Sequence, residues 1–219
     1  MGCHIVKNGE GFSLVELLVT MVVSAIVIGA IYLTSAYQEQ SLSVEDTIAE
    51  LQASLRGGVV LLEHDLRMAG YDPSCTSPPC KGFTSANVNS FTIVSKDPRN
   101  GSPVTIAYRL YDAGHDGDTD LGRNRNGSGN QPVILNVDAF NVLYFDKDGN
   151  QLAAPLGLVA QGKVAFVEIA IVAHAEKPDS NYINSSSYTN FQGMTIYTAP
   201  GDHFRRRMLR ARVACRNNV

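Results

Sequence analysis

The feature that most constrains this chain is an apolar run near its amino terminus. Residues 14–33 read LVELLVTMVVSAIVIGAIYL, and Glu16 is the one charged residue among these 20. As a helix, such a run rises about 30 Å, which matches the hydrocarbon thickness of a bilayer. A soluble helix this apolar would need burial on every face, and a cleaved secretory signal has a shorter apolar region of about 7–15 residues. The run therefore predicts a retained membrane-spanning helix.

Charges on the two sides of the run predict its orientation. Lys7 precedes it, and the next Lys or Arg in the sequence is Arg56. The residues that follow the run are acidic: Glu39, Glu45, Asp46 and Glu50. Because cationic residues stay on the cytoplasmic side of a membrane helix, we expect a cytoplasmic amino terminus and an external remainder.

Beyond the run, the apolar positions follow a helical period. They lie three or four residues apart and comprise Val44, Ile48, Leu51, Leu55, Val59, Leu62, Leu66 and Ala69. This spacing predicts one apolar face of an amphipathic helix that ends at Gly70. Gly57 and Gly58 should weaken or bend that helix locally. A coiled coil is an alternative, but we favour a helix packed on a sheet because strands follow.

The rest of the chain has the composition of strands separated by polar turns. The predicted strands are Phe91–Ser95, Val104–Tyr111, Val133–Phe145 with a break near Asp138, Val164–Ala173 and Phe204–Arg216. Residues 112–132 and 176–202 are predicted to be long polar loops. One long helix followed by strands predicts an α+β fold, in which the N-terminal helix packs on an antiparallel β-sheet domain.

A short motif stands directly before the apolar run. Residues 11–16 read Gly-Phe-Ser-Leu-Val-Glu, which resembles the type III signal of type IV prepilins and pseudopilins. The resemblance implies that a prepilin peptidase cleaves between Gly11 and Phe12 and methylates the new amine of Phe12. It also implies that Glu16, the fifth mature residue, pairs with the amino terminus of a neighbouring subunit. Such a pair has a physical reason, because either charge alone would be uncompensated in an apolar filament core.

The same resemblance divides the chain into three parts. Residues 1–11 are the leader, residues 12–70 the long helix that spans the inner membrane over about 14–33, and residues 71–219 the external, pilin-like globular domain. Residues 65–71 resemble the end of the long helix in PilW-type minor pilins. The arginine-rich segment 204–217 resembles the last strand of that family.

The PilW resemblance implies an assembly, initiation or tip subunit of a type IV pilus, with links to motility and adhesion. The implied partners are other major and minor pilins, the inner-membrane assembly platform and the prepilin peptidase. A J-type minor pseudopilin of type II secretion has the same architecture, so that alternative stays open. A tip adhesin or a DNA-uptake subunit is an alternative of another functional class.

Acidic residues alternate in the first predicted loop. Ca²⁺ takes 6–8 oxygen ligands, which carboxylates at alternate positions can provide. The candidate ligands are Asp112, Asp116, Asp118 and Asp120. The loop departs from the helix–loop–helix calcium pattern, because Gly127 stands where that pattern has Glu. Two interpretations remain, a calcium-binding loop and a solvated acidic loop, and we prefer the second.

Cys75 and Cys80 enclose a short loop outside the membrane in this topology. Disulfides persist in such a compartment, so we expect these two residues to be bonded to each other. Zinc is the alternative, but a second cysteine pair or a spaced histidine pair is absent from the sequence. Cys215 follows the apolar face of the last predicted strand and is expected to be a buried thiol. Cys3 lies in the leader.

The last predicted strand is strongly cationic. Six of the 18 Lys and Arg residues lie in 205–216. Four of them, Arg206, Arg210, Arg212 and Arg216, share one strand face, which we expect to be solvated or to protect a sheet edge. A DNA phosphate track is disfavoured because aromatic residues do not alternate with these arginines.

No catalytic motif is present in the sequence. Phosphate-cradling glycine loops, H-E-x-x-H and G-x-S-x-G are all absent, and the five histidines lack ligand spacing. A net charge of −3 also disfavours general nucleic-acid binding. The sequence therefore predicts an assembly protein without enzymatic activity and without a cofactor, calcium excepted.

Overall fold

The structure is a computed structural model that describes residues 13–75, 82–115 and 117–218. Within these residues the chain forms two helices and eleven strands. The helices are α1 (Leu14–Met68) and α2 (Leu158–Gln161). The strands are β1 (Phe83–Ala86), β2 (Ser90–Lys96), β3 (Pro103–Tyr111), β4 (Asp120–Arg125), β5 (Asn130–Ile134), β6 (Val137–Phe145), β7 (Gln151–Leu152), β8 (Phe166–His174), β9 (Ser187–Thr189), β10 (Thr195–Thr198) and β11 (Arg206–Ala214). The chain divides into two compact units between Asp46 and Thr47.

Helix α1 belongs to the first unit in its N-terminal part, and that part is apolar and exposed. Leu14, Met21 and Tyr32 are 78%, 64% and 73% exposed. The helix is long and apolar enough to cross a membrane, and none of the apolar segment that meets this test is buried. Within the described residues of the first unit, this surface is therefore uncovered.

The C-terminal part of α1 belongs to the second unit and contributes one face to its core. Leu55, Leu62 and Leu66 are at most 1% exposed, and they join one hydrophobic cluster with strands from both larger sheets. Burying one such leucine side chain stabilises the fold by about 1.5–3 kcal/mol. The predicted helical period is confirmed. The helix packs on strands, as we predicted in preference to a coiled coil.

The strands form three antiparallel sheets. A five-stranded sheet has the order β1-β2-β3-β4-β5, a four-stranded sheet has the order β11-β8-β6-β7, and β9 and β10 form a two-stranded ribbon. The predicted α+β class, a long N-terminal helix packed on an antiparallel β domain, is confirmed.

Both predicted loops contain strands, so those two predictions are wrong. The segment 112–132 contains β4 and the start of β5, and the segment 176–202 contains β9 and β10. The sequence of β4, DLGRNR, is poor in strand-forming residues. It forms a strand because tertiary contacts outweigh local propensity. Leu121 is fully buried, and the side chain of Arg123 pairs with Asp65.

The predicted strand Val133–Phe145 is two strands, β5 and β6. They separate where Asn136 adopts a left-handed conformation with φ 54°, a region that asparagine tolerates better than most residues. Near Asp138, where we expected the break, the register between β6 and β8 shifts instead, between Val137 and Ala139.

Gly57 and Gly58 do not interrupt α1. Gly58 faces β5, and a Cβ atom placed there would overlap the side chain of Ile134, which is fully buried. A Cβ atom placed on Gly57 would have no neighbouring atom within 4 Å. Gly58 therefore allows the close approach of β5 to the helix, which its sequence context did not indicate.

A matched pair of alanine variants tests this role. Gly58→Ala should lower the free energy of unfolding by about 1–3 kcal/mol, because Ile134 is buried and stiff and has no room to move. Gly57→Ala should raise it by about 0.5–1 kcal/mol through helix propensity. Thermal unfolding of the full chain in mild detergent measures both. Equal stabilisation by the two variants would contradict the packing account.

A buried carboxylate joins α1 to the five-stranded sheet. Asp65 is 3% exposed, and its Oδ2 accepts hydrogen bonds from Tyr108 Oη at 2.7 Å and Arg123 Nε at 2.6 Å. Arg123 Nη2 also donates to Asp65 Oδ1 at 3.2 Å. Burial and the neighbouring carboxylate raise the pKa of Tyr108, so its hydroxyl stays protonated and donates.

Removing this carboxylate should be costly. Asp65→Ala leaves Arg123 and Tyr108 without their acceptor, so we expect a loss of about 3–5 kcal/mol in unfolding free energy. Arg67→Ala is the control, because Arg67 forms an exposed ion pair with Glu63 on the same helix, and such pairs contribute less than about 1 kcal/mol. Denaturant titration measures both variants. If Asp65→Ala lowers the unfolding free energy by less than Arg67→Ala does, the hydrogen bonds of Asp65 do not hold the helix on the sheet.

Candidate functional site

The candidate site for assembly is the N-terminal end of α1. Glu16 lies in its first turn, and the side chains around it on the helix are exposed and apolar, as with Leu14 and Leu17. Leu17 N–H donates to the carbonyl of Ser13 at 3.1 Å, so helical hydrogen bonding reaches Ser13. The predicted cleavage residues Gly11 and Phe12 lie outside the described residues. Cleavage, methylation and the pairing of Glu16 therefore stay predictions.

Two hydroxyl groups within the apolar part of α1 are satisfied by the helix itself. Thr20 Oγ1 donates to the carbonyl of Leu17, and Thr34 Oγ1 to that of Ala30, both at 2.9 Å. A hydroxyl that is already hydrogen-bonded costs little to transfer into apolar surroundings. These two residues are thus compatible with lipid or with the side chains of other helices.

The acidic loop uses part of its carboxylate oxygens for the backbone. Asp120 is 5% exposed, and it accepts hydrogen bonds from Ala113 N–H at 3.2 Å and Asn136 N–H at 3.0 Å. Asp112 Oδ2 accepts from Gly117 N–H at 3.2 Å. These bonds hold the described residues of the loop in a turn near the end of β5.

The remaining predicted ligands do not complete a metal site within the described residues. Asp118 Oδ1 lies 3.8 Å from Nε2 of His174, and Asp116 is outside the described residues. In the described part of the chain, no group of three His, Cys, Asp or Glu is arranged to hold a metal ion. Asp112 Oδ1 is nevertheless buried without a hydrogen-bond partner there. The calcium hypothesis therefore stays a prediction.

The cysteines have different states. Cys75 is disulfide-bonded, but its predicted partner Cys80 lies outside the described residues, so the pairing itself stays a prediction. Cys215 is free and fully buried. Burial raises the pKa of its thiol to about 12, so the thiol form persists at neutral pH and is unreactive.

The cationic strand is less solvated than we predicted. Arg206 is 5% exposed and donates to Asp138 Oδ2 at 2.9 Å and Asp202 Oδ2 at 2.7 Å. Burial alone would lower its pKa, but these two carboxylates raise it, so Arg206 stays charged. Arg212 pairs with Glu168, which is 2% exposed. The prediction of a solvated face is therefore wrong at Arg206.

The segment between β8 and β11 explains this difference. It carries the β9–β10 ribbon and contacts the arginine face: Arg206 Nη2 donates to Tyr197 Oη at 3.2 Å, and Arg210 Nη1 to the Asn190 carbonyl at 3.4 Å. One signal in the sequence could have indicated it. Glu168 stands in the middle of the apolar strand β8, and a buried acid is rarely found without a cationic partner.

Two comparisons with known proteins bear on these features. The family described as the prokaryotic N-terminal methylation motif matches residues 7–32, which include the candidate cleavage residues and Glu16. A type IV-like pilin from Thermus thermophilus is similar in structure, with a TM-score of 0.54 and 16% identity over 78% of this chain and 99% of that one. No curated protein matches the sequence. At this identity, the structural similarity shows the fold.

The chain thus has the fold of a type IV-like pilin and carries a prokaryotic N-terminal methylation motif. The motif and the fold indicate a structural subunit of a pilus or pseudopilus and not an enzyme. The motif and the uncovered apolar helix also indicate membrane anchoring and assembly with other pilins.

Calcium dependence separates the two interpretations of the acidic loop. A ligand that binds only the folded state raises the melting temperature, so a calcium site would make the full chain melt higher with Ca²⁺ than with chelator. We expect equal melting and equal proteolysis of the loop, as the solvated loop predicts. A higher melting temperature with Ca²⁺ than with chelator would establish the calcium site instead, provided that Asp118→Ala abolishes the difference. The control variant Asp148→Ala, in the β6–β7 turn, should retain it.

Proposed function

We propose that this chain is a PilW-type minor pilin that takes part in initiating a type IV pilus or in forming its tip. The observation that carries the proposal is the continuity of the matched motif with α1. The motif, at residues 7–32, leads into one helix that is exposed and apolar at its start and forms part of the domain core at its end. The arginine-rich end at residues 204–217 and the segment 65–71 support the PilW type by resemblance.

The precursor is anchored in the inner membrane by the apolar part of α1. Lys7 and the amino terminus face the cytoplasm, and the globular domain lies in the periplasm. The distribution of cations supports this orientation, because Lys7 precedes the span and the next Lys or Arg is Arg56. Prepilin peptidase cleaves between Gly11 and Phe12 and methylates Phe12. The assembly platform then moves the mature subunit out of the bilayer and into the filament.

Glu16 selects and positions the neighbouring subunit in the filament. Cleavage leaves a cationic amine on Phe12, four residues before Glu16 in the sequence, and Glu16 lies in the first turn of α1. The surroundings of both groups are apolar, so each charge needs a partner, and the pair forms between neighbours. The exposed leucine, valine and isoleucine side chains of α1 then exchange lipid for the helices of other pilins.

The C-terminal part of α1 is fixed to the five-stranded sheet within the second unit. Asp65 binds both Tyr108 and Arg123, and the helix at Gly58 packs directly against Ile134. A J-type minor pseudopilin would share all these features and would differ in being absent from purified pili.

Processing is tested by the intact mass of the protein from cells with and without prepilin peptidase. With the peptidase, we expect loss of residues 1–11 and one added methyl group on Phe12. Without it, the unprocessed precursor should remain. Gly11→Ala tests site specificity and should slow cleavage, since the added Cβ hinders approach to the scissile bond. A mature chain that is cut after residue 33 would contradict the proposal.

The role of Glu16 is tested by filament incorporation. Glu16→Ala makes the span more apolar, so membrane insertion should be retained, whereas incorporation into sheared pili should fall by about tenfold or more if the pair contributes over 1.4 kcal/mol. Glu39→Ala is the control, because Glu39 is an exposed acid beyond the apolar run. Equal incorporation of the two variants would show that the Glu16 pair is unnecessary.

A further inference from the structure

The edge strands of the two larger sheets differ in length and regularity. In the described part of the chain, β1 has four residues, β7 has two, and β5 has five with Pro132 among them. The pairings of β1 and β5 also contain register shifts. Short strands, prolines and bulges are the usual devices that prevent a sheet edge from pairing. Edge strand β11 has nine residues, no proline, and an unshifted register with β8.

The register shows which backbone groups of β11 face outward. Ala175 N–H donates to the Arg205 carbonyl at 2.9 Å, and Cys215 N–H to that of Ala165 at 2.8 Å. In an antiparallel pair, alternate residues exchange hydrogen bonds with the partner strand. The odd-numbered residues of β11 therefore bond to β8. Among the described residues, the backbone N–H groups of Met208, Arg210 and Arg212 point away from β8 and have no acceptor.

The side chains next to this edge are of two kinds. On one face, Arg210 and Arg212 are exposed. Arg212 pairs with the buried Glu168, whereas Arg210 donates to the Asn190 carbonyl and lies over the ring of Phe191. On the other face, Leu209 and Ala211 are half-buried and pack against the core. An added strand would therefore place its side chains beside arginines on one face and beside apolar residues on the other.

The charge of the edge determines which strand it accepts. Pairing of two copies of β11 would bring arginines close to arginines, and like charges on paired strands are destabilising. A strand with acidic residues on one face and apolar residues on the other is complementary to both faces. We propose that the free edge of β11 binds an extended, acidic, amphipathic segment of a partner protein by strand addition. This surface is a property of the folded domain, and it goes beyond the assembly role of α1.

The experiment uses the full chain in detergent micelles and a nine-residue peptide of alternating Glu and Val. Hydrogen exchange is measured residue by residue with and without the peptide. Binding should slow exchange of the Met208, Arg210 and Arg212 amides by about tenfold or more, because they acquire acceptors. The Leu209 and Ala211 amides are already bonded to β8, so their exchange should not change. The same amides report that the fold of β11 is intact in every variant.

Two peptides and two variants complete the test. The same peptide with N-methyl groups on the residues that face β11 keeps its charge but loses its backbone donors, and it should not bind. A Lys–Val peptide should also fail to bind. Arg210→Glu should weaken binding by about tenfold, whereas Arg99→Glu, at an exposed turn, should leave it unchanged. The proposal would be overturned if the N-methylated peptide bound as well as the Glu–Val peptide, or if the Glu–Val peptide did not bind. Binding of single-stranded DNA without amide protection would also overturn it.

Discussion

The apolar surface at the start of α1 is the constraint on which the rest of this molecule depends. Leu14 and Tyr32 are more than 70% exposed, and such a surface is stable only in lipid or against other apolar helices. The described residues of the first unit therefore leave the apolar start of the longest helix exposed. Anchoring and assembly follow from this one fact, because a bilayer and a bundle of pilin helices are both environments that supply the missing contacts.

The opposite end of α1 is held by contacts that come from distant parts of the sequence. Asp65 binds Arg123, and Asn217 Nδ2 donates to the Arg67 carbonyl at 2.8 Å. Asn218 is fully buried, with its side chain bonded to Gly82 N–H at 2.7 Å and to the Gln161 and Val164 carbonyls at 2.9 Å each. The last residues of the chain thus close the domain around the end of the helix.

The sequence was sufficient for the features that depend on local pattern. The apolar run, the three- and four-residue period of α1 and the apolar strands each carry a signal within a few neighbouring residues. Features that depend on a distant partner were missed. No residue near Arg123 in the sequence indicates that its ion pair with Asp65 makes β4 a buried strand. Likewise, no residue near Gly58 indicates that Ile134 packs against it, so Gly58 was predicted to weaken the helix. Arg206 was predicted to be solvated because one of its two carboxylate partners, Asp138, lies 68 residues away in the sequence.

The central claim is that α1 begins as a surface which other pilin helices cover. A photo-crosslinking residue at Val22, which is 58% exposed, tests it in sheared, purified pili. The account predicts covalent adducts between this chain and other pilins in the pili, and their loss in membranes of cells that lack the assembly platform. Absence of the chain from the pili, or adducts with lipid alone in every fraction, would contradict it.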